Sequence, residues 1–78
     1  TTQALTQKRV HAMKNTIRVA RAEQRMTQQE LSDKVGVSRQ TINAIESGKF
    51  VPSTVLALKI AHTFEKSVEE IFSLEDED

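Results

Sequence analysis

Seventy-eight residues fit one domain with a modest core. The absence of Cys excludes disulfides, thiolate catalysis and zinc fingers, and no apolar run approaches the ~20 residues of a membrane span. The zero formal charge conceals an asymmetry: residues 1–64 hold ten basic and four acidic side chains, a balance of +6, and residues 65–78 hold one basic and seven acidic, a balance of −6. A basic body with an acidic end suits a polyanionic partner, and suits an ordinary solvated surface equally well.

Glycine occurs only at Gly36 and Gly48, and proline only at Pro52. Such scarcity points to helices rather than a sheet with many turns. Residues 1–12 are polar and weakly periodic, an amino-terminal arm that is either flexible or prolongs the first helix. The chain opens on Thr1 rather than Met, as a trimmed polypeptide would. Its first residues lack the apolar centre of a signal peptide, and a cytoplasmic home is expected. The spacing predicts a first helix from about Lys14 to Gln24, with Ile17, Ala20 and Arg21 on one face. Met26 falls in a connector. Thr27 and Glu30 form a capping box that opens a second helix over Gln28–Val35, burying Leu31 and Val35. Gly36 stands where a left-handed residue must stop it. Val37 plugs the turn, and Ser38 caps a third helix that runs to Glu46 and buries Ile42 and Ile45. Gly48 ends that helix as Gly36 ends its predecessor.

After the loop Lys49–Pro52, Ser53 caps a fourth helix reaching Phe64 or Glu65. Leu56, Ala57, Ile60, Ala61 and Phe64 form its buried stripe. Ser67 and Glu70 make a second capping box, opening a fifth helix through Phe72 or Leu74, with Val68, Ile71 and Phe72 on the core. Glu75 to Asp78 form an acidic tail whose charges repel one another. The expected organisation is an arm (1–12), an all-α domain (13–74) and a tail (75–78).

The stretch T-Q-Q-E-L-S-D-K-V-G-V-S-R-Q-T-I-N-A-I-E-S-G, Thr27 to Gly48, carries the chemistry. A helix entering the DNA major groove amino terminus first needs a polar face with forked donors and acceptors there. Arg39 can donate twice to guanine, and Gln40 can pair with adenine. Asn43 lies one turn beyond Arg39 on the same face. The Ala44 methyl can meet that of thymine. Gln28 begins a helix whose dipole and N–H groups favour a phosphate, and Ser38, Thr41, Ser47 and Lys49 are further donors around the face.

This segment is similar to the helix-turn-helix of phage repressor and Cro proteins and of the wider xenobiotic-response-element regulator family. The following P-S-x-x-x-A-L-K-I-A and S-V-E-E-I-F look like the last two helices of its compact members, so the resemblance covers about Met13 to Leu74. It implies a five-helix lambda-repressor-like DNA-binding domain. Gln28 matches the position that usually contacts phosphate; Arg39, Gln40 and Ala44 match positions that usually face bases. Thr41, Asn43 and Lys49 match positions that touch backbone or bases. Arg21 and Glu46 match a partly buried ion pair joining the first and third helices. Arg25 and Glu65 depart from the pattern where glycine is frequent; Ala20 replaces a common Leu, and Thr54 a frequent apolar residue.

Other functions find little support. His11 and His62 are remote from each other and make a poor metal site. Glu69 and Glu70 are adjacent and diverge on a helix, and there is no glycine-rich phosphate loop. No enzyme activity and no cofactor are expected. Phe50, Val55, Leu58 and Leu74 lie off the core stripe and are candidates for a homodimer seam, against a reading as a slightly wider core. The resulting expectation is a sequence-specific regulator of double-stranded DNA, a repressor acting as a homodimer on a palindromic operator, without a small-molecule effector. Two alternatives stand beside it: an antitoxin with a toxin partner, and a helical protein-interaction module without a DNA role.

Overall fold

The computed structural model describes residues 13–75. Five helices succeed one another: α1 (Ile17–Glu23), α2 (Gln28–Val35), α3 (Arg39–Glu46), α4 (Thr54–Thr63) and α5 (Val68–Ile71). Local chemistry sets most of their boundaries. Thr27, Ser38, Ser53 and Ser67 stand in extended backbone, and each side-chain oxygen accepts the N–H three residues on. In α2 and α5 the third residue, Glu30 or Glu70, reaches back to the cap N–H at 2.8 and 2.7 Å, closing both capping boxes. Each such cap is worth about 1 kcal/mol.

The helix ends share a device. Gly36 and Gly48 both take φ +80. Beyond them, Val37 N–H donates to the Ser32 carbonyl and Lys49 N–H to the Ala44 carbonyl. At the ends of α1 and α4 the same left-handed position holds Arg25 (φ 53) and Glu65 (φ 56). Met26 and Lys66 close those ends with N–H bonds to the Arg21 and Ala61 carbonyls. These orphan carbonyls must be satisfied, so the chain accepts a strained side chain at two of four sites.

Two short strands accompany the helices. β1 (Met13–Asn15) pairs antiparallel with β2 (Phe72–Leu74), Lys14 opposite Ser73. This corrects two sequence-based boundaries. Lys14 lies in β1 and α1 begins at Ile17; α5 stops at Ile71 rather than continuing to Phe72 or Leu74. Phe72 takes φ −120, ψ 141 and keeps its ring buried. The ribbon, together with a Thr16 N–H bond to the Ile71 carbonyl at 2.9 Å, ties the two ends of the domain together. The arm, residues 1–12, and tail residues 76–78 lie outside the described residues.

The core joins every helix: Ile17 and Ala20 from α1, Leu31 and Val35 from α2, Ile42 and Ile45 from α3, Ile60 and Ala61 from α4, Ile71 from α5, with Phe64 and Phe72. Leu56, Ala57 and Val68 pack around it half-buried, as do Met26 and the turn residue Val37. Burial of one such aliphatic side chain contributes about 1.5–3 kcal/mol. The fully buried Ser32 is satisfied locally, donating to the Gln29 carbonyl at 2.8 Å.

Replacing the strained left-handed residues should help the fold. Arg25→Gly and Glu65→Gly are each expected to stabilise by about 0.5–1 kcal/mol, the relief of the side-chain clash less the entropy of the new glycine. Urea unfolding followed by circular dichroism measures this.

Candidate nucleic-acid interface

The turn between α2 and α3 is fixed from both sides. Gly36 ends α2, the half-buried Val37 packs on the core, and Ser38 starts α3. Ile42 and Ile45 anchor one side of α3 in the core, leaving Arg39, Gln40 and Asn43 exposed on the other. Thr41 and Ala44 are half-buried at the margin. Ser38 Oγ lies 3.0 Å from Thr41 Oγ1 and accepts the Thr41 N–H, so both hydroxyls serve the helix start. Ser47 Oγ donates to the Ala44 carbonyl, and Lys49 is exposed just beyond.

Behind this face lies a polar network. Arg21 of α1 donates through Nε to Glu46 Oε2 at 2.6 Å and through a terminal nitrogen to Oε1 at 3.1 Å. Its other terminal nitrogen donates to the Met26 carbonyl at 2.8 Å. The Glu46 side chain is only 1% exposed and the Arg21 side chain 15%. Arg18, largely exposed, adds a second cation 3.6 Å from Glu46. Gln28 faces inward: its amide nitrogen donates to Glu46 Oε1 at 3.0 Å and to Asn43 Oδ1 at 3.3 Å. Burial alone would push the Glu46 carboxyl up. Hydrogen bonds from Arg21 and Gln28, with the charges of Arg21 and Arg18, outweigh it and hold the carboxyl below its ordinary value.

One residue of this framework escapes sequence reading. Asn15 donates from Nδ2 to the Ile45 carbonyl at 2.9 Å and accepts the Ile17 N–H at 3.1 Å. It therefore satisfies the first N–H of α1 and holds the carboxyl end of α3 at once. No local pattern marks it, because its partner lies 30 residues away.

The four apolar seam candidates do not line one recess. Val55 and Leu58 line a groove of about 590 Å³ between α4 and the end of α2. Phe50 lines a separate small recess with Met13 and Phe72, and Leu74 sits opposite Met13 in the ribbon. All four are exposed, as are Val19 and Val51. Among the described residues, no cluster of His, Asp or Glu can hold a metal, and no helix is long and apolar enough to cross a membrane.

A helix-turn-helix family model matches residues 17–71. An uncharacterized HTH-type transcriptional regulator of Methanocaldococcus jannaschii is 52% identical over 66 residues, covering 85% of this chain and all of the relative. The similarly described YgzD of Bacillus subtilis is 48% identical over 65 residues, covering 83% of this chain and 98% of the relative. A crystal structure from Bacteroides fragilis, described as DNA-binding, superposes with a TM-score of 0.71 at 30% identity, over 78% of this chain and 98% of that one. The clp gene regulator ClgR of Corynebacterium glutamicum gives 0.65 at 28% identity, over 69% of this chain and 57% of that one. The chain belongs to the helix-turn-helix family of xenobiotic-response-element, Cro-like type. It is a DNA-binding transcriptional regulator and not an enzyme.

Removing one partner of the Arg21–Glu46 pair should cost stability. Its carboxyl is depressed in the folded state, so its contribution is complete above the ordinary value of 4.5 and is lost as pH falls through the lowered value. Glu46→Gln leaves the Arg21 charge without its counter-ion and is expected to cost about 2–3 kcal/mol at neutral pH, below the range for a fully buried pair because Arg21 keeps some water. The variant should also lose stability less steeply on acidification, which thermal melts from pH 7 to 3 will show.

Proposed function

We propose that the chain is a sequence-specific repressor that binds a nearly palindromic operator in double-stranded DNA as a homodimer in the cytoplasm. The observation that carries this reading is the exposed polar row Arg39, Gln40 and Asn43 at the start of α3, set on a helix whose opposite side is locked in the core. Arg39 donates to guanine O6 and N7, Gln40 pairs with adenine, and the Ala44 methyl meets thymine, each good bidentate contact discriminating by about 1–3 kcal/mol. Phosphates flanking the groove meet the amino termini of α2 and α3, through the main-chain N–H of Gln28 and the side chains of Ser38 and Thr41, and meet the side chains of Ser47 and Lys49 just past the carboxyl end of α3.

A second copy supplies the second half-site. Two α3 helices then enter successive major grooves about 34 Å apart, which makes the operator palindromic. The exposed apolar pairs Val55/Leu58 and Phe50/Leu74 are the seam candidates. Repression follows from occlusion, a bound dimer denying polymerase its site.

Selection of bound sites from a random duplex library tests the reading. Inverted half-sites one helical turn apart are expected, and Arg39→Ala should erase the preference at one base pair per half-site. Equal weakening of all duplexes by that variant contradicts base reading by Arg39. Affinity should also fall steeply with salt as counterions are released. In sedimentation equilibrium the wild type should be dimeric, and one of the pairs Val55→Glu/Leu58→Glu or Phe50→Glu/Leu74→Glu should yield monomers. A wild type that remains monomeric on its operator removes the dimer from the proposal.

A further inference from the structure

The side chains behind the reading face carry a polarity that begins at a buried charge. Glu46 binds the Arg21 guanidinium through both oxygens, and an ionised carboxylate only accepts hydrogen bonds. The Gln28 amide that meets Glu46 Oε1 at 3.0 Å must therefore offer its nitrogen, not its oxygen. That nitrogen has two hydrogens. Its other contact is Asn43, at 3.3 Å, so the Asn43 atom facing α2 must be the acceptor Oδ1. Asn43 Nδ2, with two donor hydrogens, is left on the other branch of the amide. Turning the Asn43 amide over would set one NH2 against another and forfeit the bond.

We propose that Gln28 is a positioning residue for base reading. It holds the Asn43 amide with its nitrogen directed away from α2, so that Asn43 selects a base with a major-groove acceptor, guanine O6 or N7, thymine O4 or adenine N7, over cytosine, which offers only its amino donor. The inference rests on the DNA-reading role of α3 proposed above. It also divides the work at the start of α2. The Gln28 side-chain nitrogen is committed within the domain, so a phosphate there meets the main-chain N–H, which a side-chain substitution leaves in place.

Gln28→Leu keeps the bulk of the side chain and removes both donors. Site selection is run on the full chain as wild type, Asn43→Ala, Gln28→Leu and the double variant. The base pair at which Asn43→Ala loses discrimination is the one Asn43 reads. There the wild type should disfavour cytosine roughly tenfold, the scale of one well-placed hydrogen bond with its unsatisfied alternative; which base prevails identifies the acceptor. Gln28→Leu should flatten that position alone, preserve the preference set by Arg39, and add nothing to Asn43→Ala in the double variant. Uniform weakening of all duplexes, additive losses, an unchanged preference, or no discrimination lost by Asn43→Ala each overturns the proposal. A wild type that selects no sites fails the DNA-reading premise itself and takes the proposal with it. A readout without DNA comes from the free protein: the Asn43 side-chain NH2 and Cγ resonances should move in both Gln28→Leu and Gln28→Ala while the helical signal persists. Unmoved resonances in folded variants also overturn it.

Discussion

The bidentate contact between Arg21 and Glu46 is the constraint on which the rest of the interface depends. It joins α1 to the last residue of α3, and Arg21 reaches on to the Met26 carbonyl in the connector before α2. One guanidinium thus fixes three elements. Hydrophobic packing by Ile42 and Ile45 holds α3 to the core but has no direction of its own. The ion pair supplies direction, because a forked donor accepts a carboxylate in few orientations. Such pairs often add little net stability, since desolvation offsets much of the attraction. Here its value lies in the pose of α3.

From that pose the donor–acceptor order passes outward through Gln28 to Asn43, while Asn15 holds the far end of α3 from β1. The helix is therefore gripped at its buried side, at its carboxyl end and through its rear polar edge. Only the amino-terminal row is left to solvent. Preorganisation of this kind lowers the ordering cost of binding, because side chains and helix need not be arranged when the partner arrives.

Much of this was legible in the chain. T-x-x-E at Thr27, Ser38, Ser53 and S-x-x-E at Ser67 announce four helix starts, since hydroxyl caps act over three residues. Gly36 and Gly48 announce two helix ends. The Arg39, Gln40 and Asn43 face follows from helical spacing against Ile42 and Ile45. The ribbon was not legible: M-K-N and F-S-L are too short for an alternating pattern, and each strand exists only because the other, distant in sequence, pairs with it. The same holds for Asn15, whose side chain answers a carbonyl 30 residues away. The inward turn of the Gln28 side chain is tertiary too. Sequence assigns that residue to a helix start and a phosphate, and only the neighbouring Glu46 reveals that its amide is already engaged.

Chemical-shift mapping on titration with a selected operator duplex tests the central claim most directly. The account predicts the largest backbone changes at Ser38–Asn43 and at the Gln28 N–H, with α4 quiet apart from any dimer contact. Changes centred on Val55, Leu58 and their groove, with the start of α3 silent, would contradict it.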